Sequence, residues 1–131
     1  MAGITCSNGI NLSVEDIIRD IVDFTDDGIT LNIRYISYTT VAAATYDLLT
    51  TDYLLHVTYT PTGTVAITLP TAQVISGRRI FVNDAGLKAN TNNITISTEG
   101  AELIDGAATN VMNVDGVSRG FYCDGTNWFT L

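Results

Sequence analysis

The sequence predicts a mainly β protein, and three observations lead to that prediction. The chain has 20 Thr, 14 Ile and 10 Val, so 44 of its 131 residues are β-branched. Such side chains lose rotamer freedom in helices but pack well on pleated sheets. Apolar and polar residues alternate along several segments, and Gly-bearing turn signals separate those segments at spacings of roughly 8–12 residues, as in β-sandwiches and barrels.

The first predicted element is a short amphipathic helix over residues 13–25. Ser13 is a suitable N-cap, and the acidic Glu15 and Asp16 complement the positive end of the helix dipole. Apolar residues at heptad positions a and d form a candidate trimer seam: Val14, Ile17, Ile21 and Phe24. Because fewer than two heptads are present, packing against symmetry mates and packing on the chain's own β domain both stay open, and we favour the first.

The period of the pattern changes after the helix, which divides the chain into two regions. Asp26-Asp27-Gly28 is a turn signal, and Ile29–Ile36 then alternates apolar and polar side chains as a strand buried on one face does. We therefore predict an N-terminal segment over residues 1–28, serving as a trimerisation or attachment stem, and a β-rich head domain over residues 29–131.

Short strand signals continue to the C-terminus. The clearest are Tyr53–Thr60, Thr64–Leu69, Arg78–Asp84, Ile94–Thr98, Val111–Val114, Val117–Cys123 and Trp128–Leu131. Pro61-Thr62-Gly63 predicts a hairpin-like connection, and Asp124–Asn127 predicts the turn of a terminal hairpin. The pattern fits an antiparallel β-sandwich and an interlocked trimeric β head equally well, and both remain open.

Charge excludes several classes of function. Fourteen acidic side chains against six basic ones give a net charge of -8, which argues against a nucleic-acid partner and against adhesion to anionic membranes. No apolar run is long enough to span a bilayer, and no basic region precedes an apolar stretch near Met1, so we expect neither membrane insertion nor a signal peptide. Cys6 and Cys123 match no metal or disulfide spacing.

The titratable residues do not predict an enzyme. His56 is the single histidine and no GxSxG motif accompanies it, so we expect no catalytic residue, no metal and no cofactor. Asp84, Asp105, Asp115 and Asp124 lie at turn signals, where aspartate side chains bond to backbone N–H groups. A small polysaccharide-processing domain is the remaining catalytic alternative, since it needs two carboxylates held across a sugar.

Aromatic and arginine side chains are the best candidates for ligand or interface contacts: Tyr53, Tyr59, Arg78, Arg79, Tyr122 and Trp128. Tyrosine and tryptophan offer flat apolar rings with a polar group, and arginine can bind a carboxylate through two hydrogen bonds. The competing interpretation is core packing for the aromatic residues and a solvated strand start for the two arginines.

Several motifs occur in order over the C-terminal two-thirds of the chain. They are Ala66-Ile67-Thr68-Leu69-Pro70, Gly77-Arg78-Arg79-Ile80-Phe81-Val82-Asn83-Asp84-Ala85-Gly86, Asn92-Asn93-Ile94-Thr95-Ile96, Ile104-Asp105-Gly106 and Asp124-Gly125-Thr126-Asn127-Trp128. In this order they resemble domains of phage tail fibres and of fibre or spike proteins from large viruses. The resemblance spans about residues 44–131, and the first 43 residues do not share it.

The resemblance implies a homotrimeric viral structural protein that projects from the virion surface and binds a host-surface glycan. Under that hypothesis the partners are two further copies of the chain, the glycan, and other virion proteins contacted by the N-terminal segment. The alternative is a module for particle assembly or decoration that binds no receptor.

Overall fold

A computed structural model describes residues 35–131 and four short strands nearer the N-terminus. The chain divides into two units, Met1–Ile36 and Ser37–Leu131, and each is described by itself. In the first unit, β1 (Ile4–Thr5) pairs antiparallel with β2 (Asn11–Leu12), and β3 (Asp23–Thr25) pairs antiparallel with β4 (Gly28–Thr30).

Strand β3 covers the last three residues of the segment predicted to be helical. Its three residues form a strand in which Phe24 is in register with Ile29, because aromatic and β-branched residues favour paired strands over helix. Residues 13–22, which include the other three positions of the candidate seam (Val14, Ile17 and Ile21), lie outside the described residues.

The second unit contains nine strands, which confirms the mainly β prediction. They are β5 (Tyr38–Val41), β6 (Thr45–Asp47), β7 (Leu54–Val57), β8 (Val65–Leu69), β9 (Arg79–Asp84), β10 (Ile94–Thr98), β11 (Thr109–Met112), β12 (Ser118–Cys123) and β13 (Trp128–Thr130). Within the described residues, helical structure is limited to the 3-10 turn Thr71–Gln73. No helix there has the length and apolar character needed to cross a membrane.

The strands form two mixed sheets rather than antiparallel ones, which corrects the prediction. One sheet has the order β11-β10-β8-β6 and the other β13-β12-β9-β7-β5. From β5 to β10, successive strands alternate between the two sheets, so the chain winds as a coil. Each strand therefore pairs in parallel with the strand two places further along the chain. The connection at Pro61-Thr62-Gly63 therefore joins two sheets and is not a hairpin. Antiparallel pairing begins where the chain reverses at β11 and β12.

The core is a single cluster built from the inward-facing residues of both sheets. Burial alternates along β7, β8 and most of β9, as in β8, where Val65, Ile67 and Leu69 are buried. The cluster also contains large side chains from the closing strands, Phe121 and Trp128 among them. Because burial alternates with period two, the opposite side of each sheet forms an outer face.

Two aspartate turns fix the C-terminal part of the second unit. Asp105 and Gly106 both have positive φ angles (50° and 83°), and Ile104 and Ala107 are joined by two backbone hydrogen bonds around them. This is the Asp-Gly arrangement of a tight two-residue turn. The Asp105 carboxylate accepts hydrogen bonds from the N–H and hydroxyl of Thr130 at 3.0 and 2.7 Å, which attaches the turn to β13.

The predicted terminal hairpin is confirmed. β12 and β13 pair antiparallel across a turn in which the Asp124 carboxylate accepts hydrogen bonds from the N–H groups of Thr126 and Asn127, each at 2.8 Å. The bonds from Asn127 and then Thr126 lower the pKa of Asp124. Cys123, in register with Trp128, is a buried free thiol.

Candidate functional site

The outer side of the five-stranded sheet is an aromatic and apolar surface, called here the aromatic face. It consists of the outward-facing residues Tyr38, Thr40, Leu54, His56, Arg79, Phe81, Asn83, Ser118, Gly120, Tyr122, Phe129 and Leu131. Their neighbours along each strand point into the core, so the face follows directly from the period-two alternation.

One apolar row crosses this face. Strand register places Tyr38 opposite Leu54, Leu54 opposite Phe81, and Phe81 opposite Gly120. The N–H of Leu131 donates to the Gly120 carbonyl at 2.9 Å and continues the row. A side chain at Gly120 would meet the Phe81 ring, because an added Cβ would lie 2.8 Å from Phe81 Cε1. The glycine therefore allows the phenylalanine ring to lie flat over β12.

Aromatic pairs flank the row. The Tyr122 and Phe129 rings are stacked, with their centroids 5.3 Å apart. The Tyr53 and Phe81 rings are tilted against one another, with their centroids 5.5 Å apart. The Tyr38 ring meets the His56 imidazole at 5.2 Å. Tyr38 and Leu131 are 60% and 64% exposed, so both ends of the row are open to solvent. Exposed apolar surface of this kind is typical of interaction sites.

The aromatic face bears no acidic side chain. Eight acidic residues lie between Asp47 and Asp124, and none of them occupies an outward position on the strands of this sheet. Arg79 is the permanently charged residue of the face. The aromatic face therefore differs from the chain as a whole, which has a net charge of -8.

The structure brings three of the six predicted contact residues together. Arg79 and Tyr122 are opposite one another in the β9–β12 register, and Tyr53 contacts the neighbouring Phe81 ring. Tyr53 and Tyr122 are 38% and 37% exposed, respectively. These three residues can therefore contribute to a common surface.

The other three predicted residues lie elsewhere. Tyr59 packs against the core cluster, and Trp128 is fully buried. Arg78 donates its Nη2 hydrogens to the carbonyls of Leu49 and Asp52 at 2.9 and 2.8 Å, which fixes a turn. Sequence reasoning did not select Leu54, Phe81 or Leu131 for the surface, although their alternation with buried neighbours was a usable signal.

A buried carboxylate connects the first strands of the two sheets. Asp52 accepts hydrogen bonds from the Thr39 hydroxyl on β5 (2.6 Å), the Tyr46 hydroxyl on β6 (2.9 Å) and the Leu49 N–H (2.7 Å). Burial, followed by the contact with Asp52, raises the pKa of Tyr46 to about 12. The three hydrogen bonds join β5 and β6 to the Leu49–Asp52 turn.

Two of the aspartates considered for a polysaccharide-processing site also accept hydrogen bonds from backbone N–H groups. Asp84 is buried, and its Oδ2 accepts hydrogen bonds from the N–H groups of Lys88, Ala89 and Gly116. Asp115 accepts one from the Asn90 N–H at 2.8 Å. In the part of the chain that the structure describes, no cluster of three or more His, Cys, Asp or Glu residues is arranged to hold a metal ion.

No protein-family model matches the chain, and no curated protein matches it.

Proposed function

We propose that this chain is a non-enzymatic viral structural protein, a homotrimeric fibre or spike component that attaches the virion to a host-surface glycan. The observation that carries the proposal is the aromatic face, an exposed apolar surface without acidic residues on a strongly acidic chain. We assign this face to the contact between copies.

Electrostatics favours association through the aromatic face over any other surface described. Two copies that each have a net charge of -8 repel one another, and juxtaposed carboxylates at a contact would add several kcal/mol to that cost. The aromatic face avoids the local part of this penalty, because its row of Tyr38, Leu54 and Phe81 is uncharged. Burial of these side chains then contributes about 25 cal/mol per Å² of apolar area.

The number of copies and the virion location come from the resemblance of residues 44–131 to fibre and spike domains. The matching motifs fall on β8, β9, β10, the Asp105–Gly106 turn and the terminal hairpin. Three identical weak sites on one rigid assembly can exceed the affinity of a single site by orders of magnitude. Multivalent attachment therefore needs no deep pocket in any one copy.

Self-association can be tested with Tyr38→Glu and a matched control, Val111→Glu. Both positions are exposed on edge strands, Tyr38 on the aromatic face and Val111 on the outer face of the other sheet. Light scattering should give three times the 14.1 kDa of one chain for the wild type and for Val111→Glu. Tyr38→Glu should weaken association roughly thirtyfold, about 2 kcal/mol, because it would bury an unpaired charge.

A wild-type mass of 14.1 kDa at micromolar concentration would overturn the trimer. Equal weakening by both variants would show that copies associate through neither face in particular. Far-UV circular dichroism of each variant separates lost association from lost folding.

Glycan attachment needs its own assay, because a trimer that only assembles or decorates the particle would have the same mass. The fluorescently labelled trimer should bind members of a glycan array, and dissociation by Tyr38→Glu should reduce that binding through lost multivalency. A stable trimer that binds no glycan would instead support the assembly module. Release of reducing sugar from a host polysaccharide would support the polysaccharide-processing alternative.

A further inference from the structure

A cleft on the second unit is lined by none of the residues of the aromatic face. It is an open surface cleft with a volume of about 450 Å³. Three connections form it: the 3-10 turn after β8, the loop after β10, and the turn of the terminal hairpin. Its lining includes Thr71, Val74, Ala101, Glu102, Thr126 and Asn127.

The cleft presents a fixed carboxylate. The Gly100 N–H donates to Glu102 Oε2 at 3.0 Å, and an added Cβ at Gly100 would lie within 3.1 Å of both Glu102 oxygens and of the Thr71 hydroxyl. The Glu102 N–H and the Thr71 hydroxyl, with Gly100, lower the pKa of this carboxyl. Glu102 is thus an ionised hydrogen-bond acceptor whose orientation is set by its neighbours.

A hydrogen-bond donor also lines the cleft. Asn127 Oδ1 accepts a hydrogen bond from the Leu103 N–H at 2.9 Å, which orients the amide. Within the described part of the chain its Nδ2 group forms no hydrogen bond, so both of its hydrogens can be donated to a ligand. Val74 and Ala101 add apolar surface to the lining.

We propose that this cleft binds a neutral sugar residue, such as the terminal hexose of a glycan. Sugar hydroxyls would donate to the Glu102 carboxylate and accept from Asn127 Nδ2, while a C–H face of the ring packs on Val74 and Ala101. An anionic sugar is disfavoured, because Glu102 lines the cleft and Glu99, bonded to the Thr71 N–H, lies beside it. This inference rests on the proposed glycan-attachment function and assigns that function a site.

The test is a titration of the amide resonances of the full-length protein with neutral methyl glycosides of glucose, galactose, mannose and N-acetylglucosamine. At about 20 mM, well above a millimolar Kd, at least one glycoside should shift the amides of Glu102, Thr126 and Asn127. Glu102→Gln should weaken that binding about tenfold, since a hydrogen bond to a charged group is lost.

Glu99→Gln is the matched control. It removes a neighbouring carboxylate that also accepts a backbone N–H but does not line the cleft, so affinity should stay within about twofold. Equal affinities for wild type and Glu102→Gln would overturn the assignment. Glycan-array binding without any shift in the cleft amides would also overturn it and leave attachment standing, whereas no binding in either assay would remove both proposals.

Discussion

The outer faces of the two sheets are built from the same backbone pattern but have opposite chemistry. On the four-stranded sheet the outward positions are mostly short hydroxyl-bearing side chains, in rows such as Thr45–Ala66–Thr95 and Asp47–Thr68–Ser97. On the five-stranded sheet the corresponding rows contain aromatic rings and leucines. Short polar side chains suit a surface that stays in water, whereas exposed rings without acidic neighbours suit a surface that another molecule covers.

The difference shows that the outer faces can be specified independently of the core. Both sheets supply similar aliphatic side chains to one buried cluster, so burial alone does not explain why their exteriors differ. We therefore expect most substitutions on the aromatic face to change the free energy of unfolding little. Gly120 is an exception, because a side chain there would meet Phe81 and Leu131.

The largest effect on stability is expected at Asp52, whose hydrogen bonds link β5 and β6, the first strands of the two sheets. Asp52→Ala should lower the free energy of unfolding by about 3 kcal/mol, because it leaves the Thr39 and Tyr46 hydroxyls and the Leu49 N–H without their acceptor. Asp47→Ala on the exposed polar face should cost less than about 0.5 kcal/mol. Urea unfolding measures both, and equal values would show that the network does not join the sheets.

Gly120 provides a direct comparison of the two outer faces. Gly120→Val should cost about 2 kcal/mol, since the new side chain meets Phe81 and Leu131. Ala66→Val, at an outward position on a central strand of the polar face, should change stability by less than about 0.5 kcal/mol. If Gly120→Val were neutral in urea unfolding, the Phe81 ring would have to be free to move off β12.

Alkaline pH tests the buried side of the four-stranded sheet through Tyr46. Its pKa is about 12 in the folded chain against an ordinary value of 10.0, so the unfolded state loses the proton first. Stability from this group is complete below pH 10 and is lost as pH rises towards 12. Tyr46→Phe should cost about 1 kcal/mol at neutral pH. It should also flatten the decline of stability above pH 10, as followed by urea unfolding. An unchanged slope would contradict the assignment.

The smallest effect expected is that of salt on association through the aromatic face. Raising NaCl screens the repulsion between copies of net charge -8, so association should strengthen, by less than about tenfold. Light scattering across a dilution series measures it. Weakening by salt would instead indicate that ion pairs, such as one formed by Arg79, hold the copies together.

The sequence predicted the strands better than their partners. Alternation revealed which residues of Thr64–Leu69 or Arg78–Asp84 share a side, because side-chain direction depends only on local backbone geometry. It does not reveal which sheet a strand joins. The short Pro61-Thr62-Gly63 connection resembled a hairpin loop, yet it crosses from one sheet to the other. Pairing partners depend on packing between distant segments, which periodicity does not encode.

The candidate site was predicted in part for a related reason. Tyr53, Arg79 and Tyr122 were selected by residue type and lie on or against the aromatic face. Trp128 was selected by the same criterion but is buried. Residue type could not predict this, because Trp128 and Phe129 are adjacent aromatic residues and either could have faced the core. The cleft at Glu102 was missed, since three connections separated in sequence form it.

The reversal of the chain at β11 and β12 has a consequence for biosynthesis. The third turn of the coil, β9 and β10, is covered on its far side by β11, β12 and β13, which follow it in the sequence and are therefore synthesised later. Parallel strands stabilise one another only after long loops have closed, so the first turns gain little while they emerge. The terminal hairpin is the most local pairing at that end of the sheet. We therefore expect the second unit to fold only once β12 and β13 have been synthesised, and a nascent chain ending before Ser118 to remain sensitive to proteases.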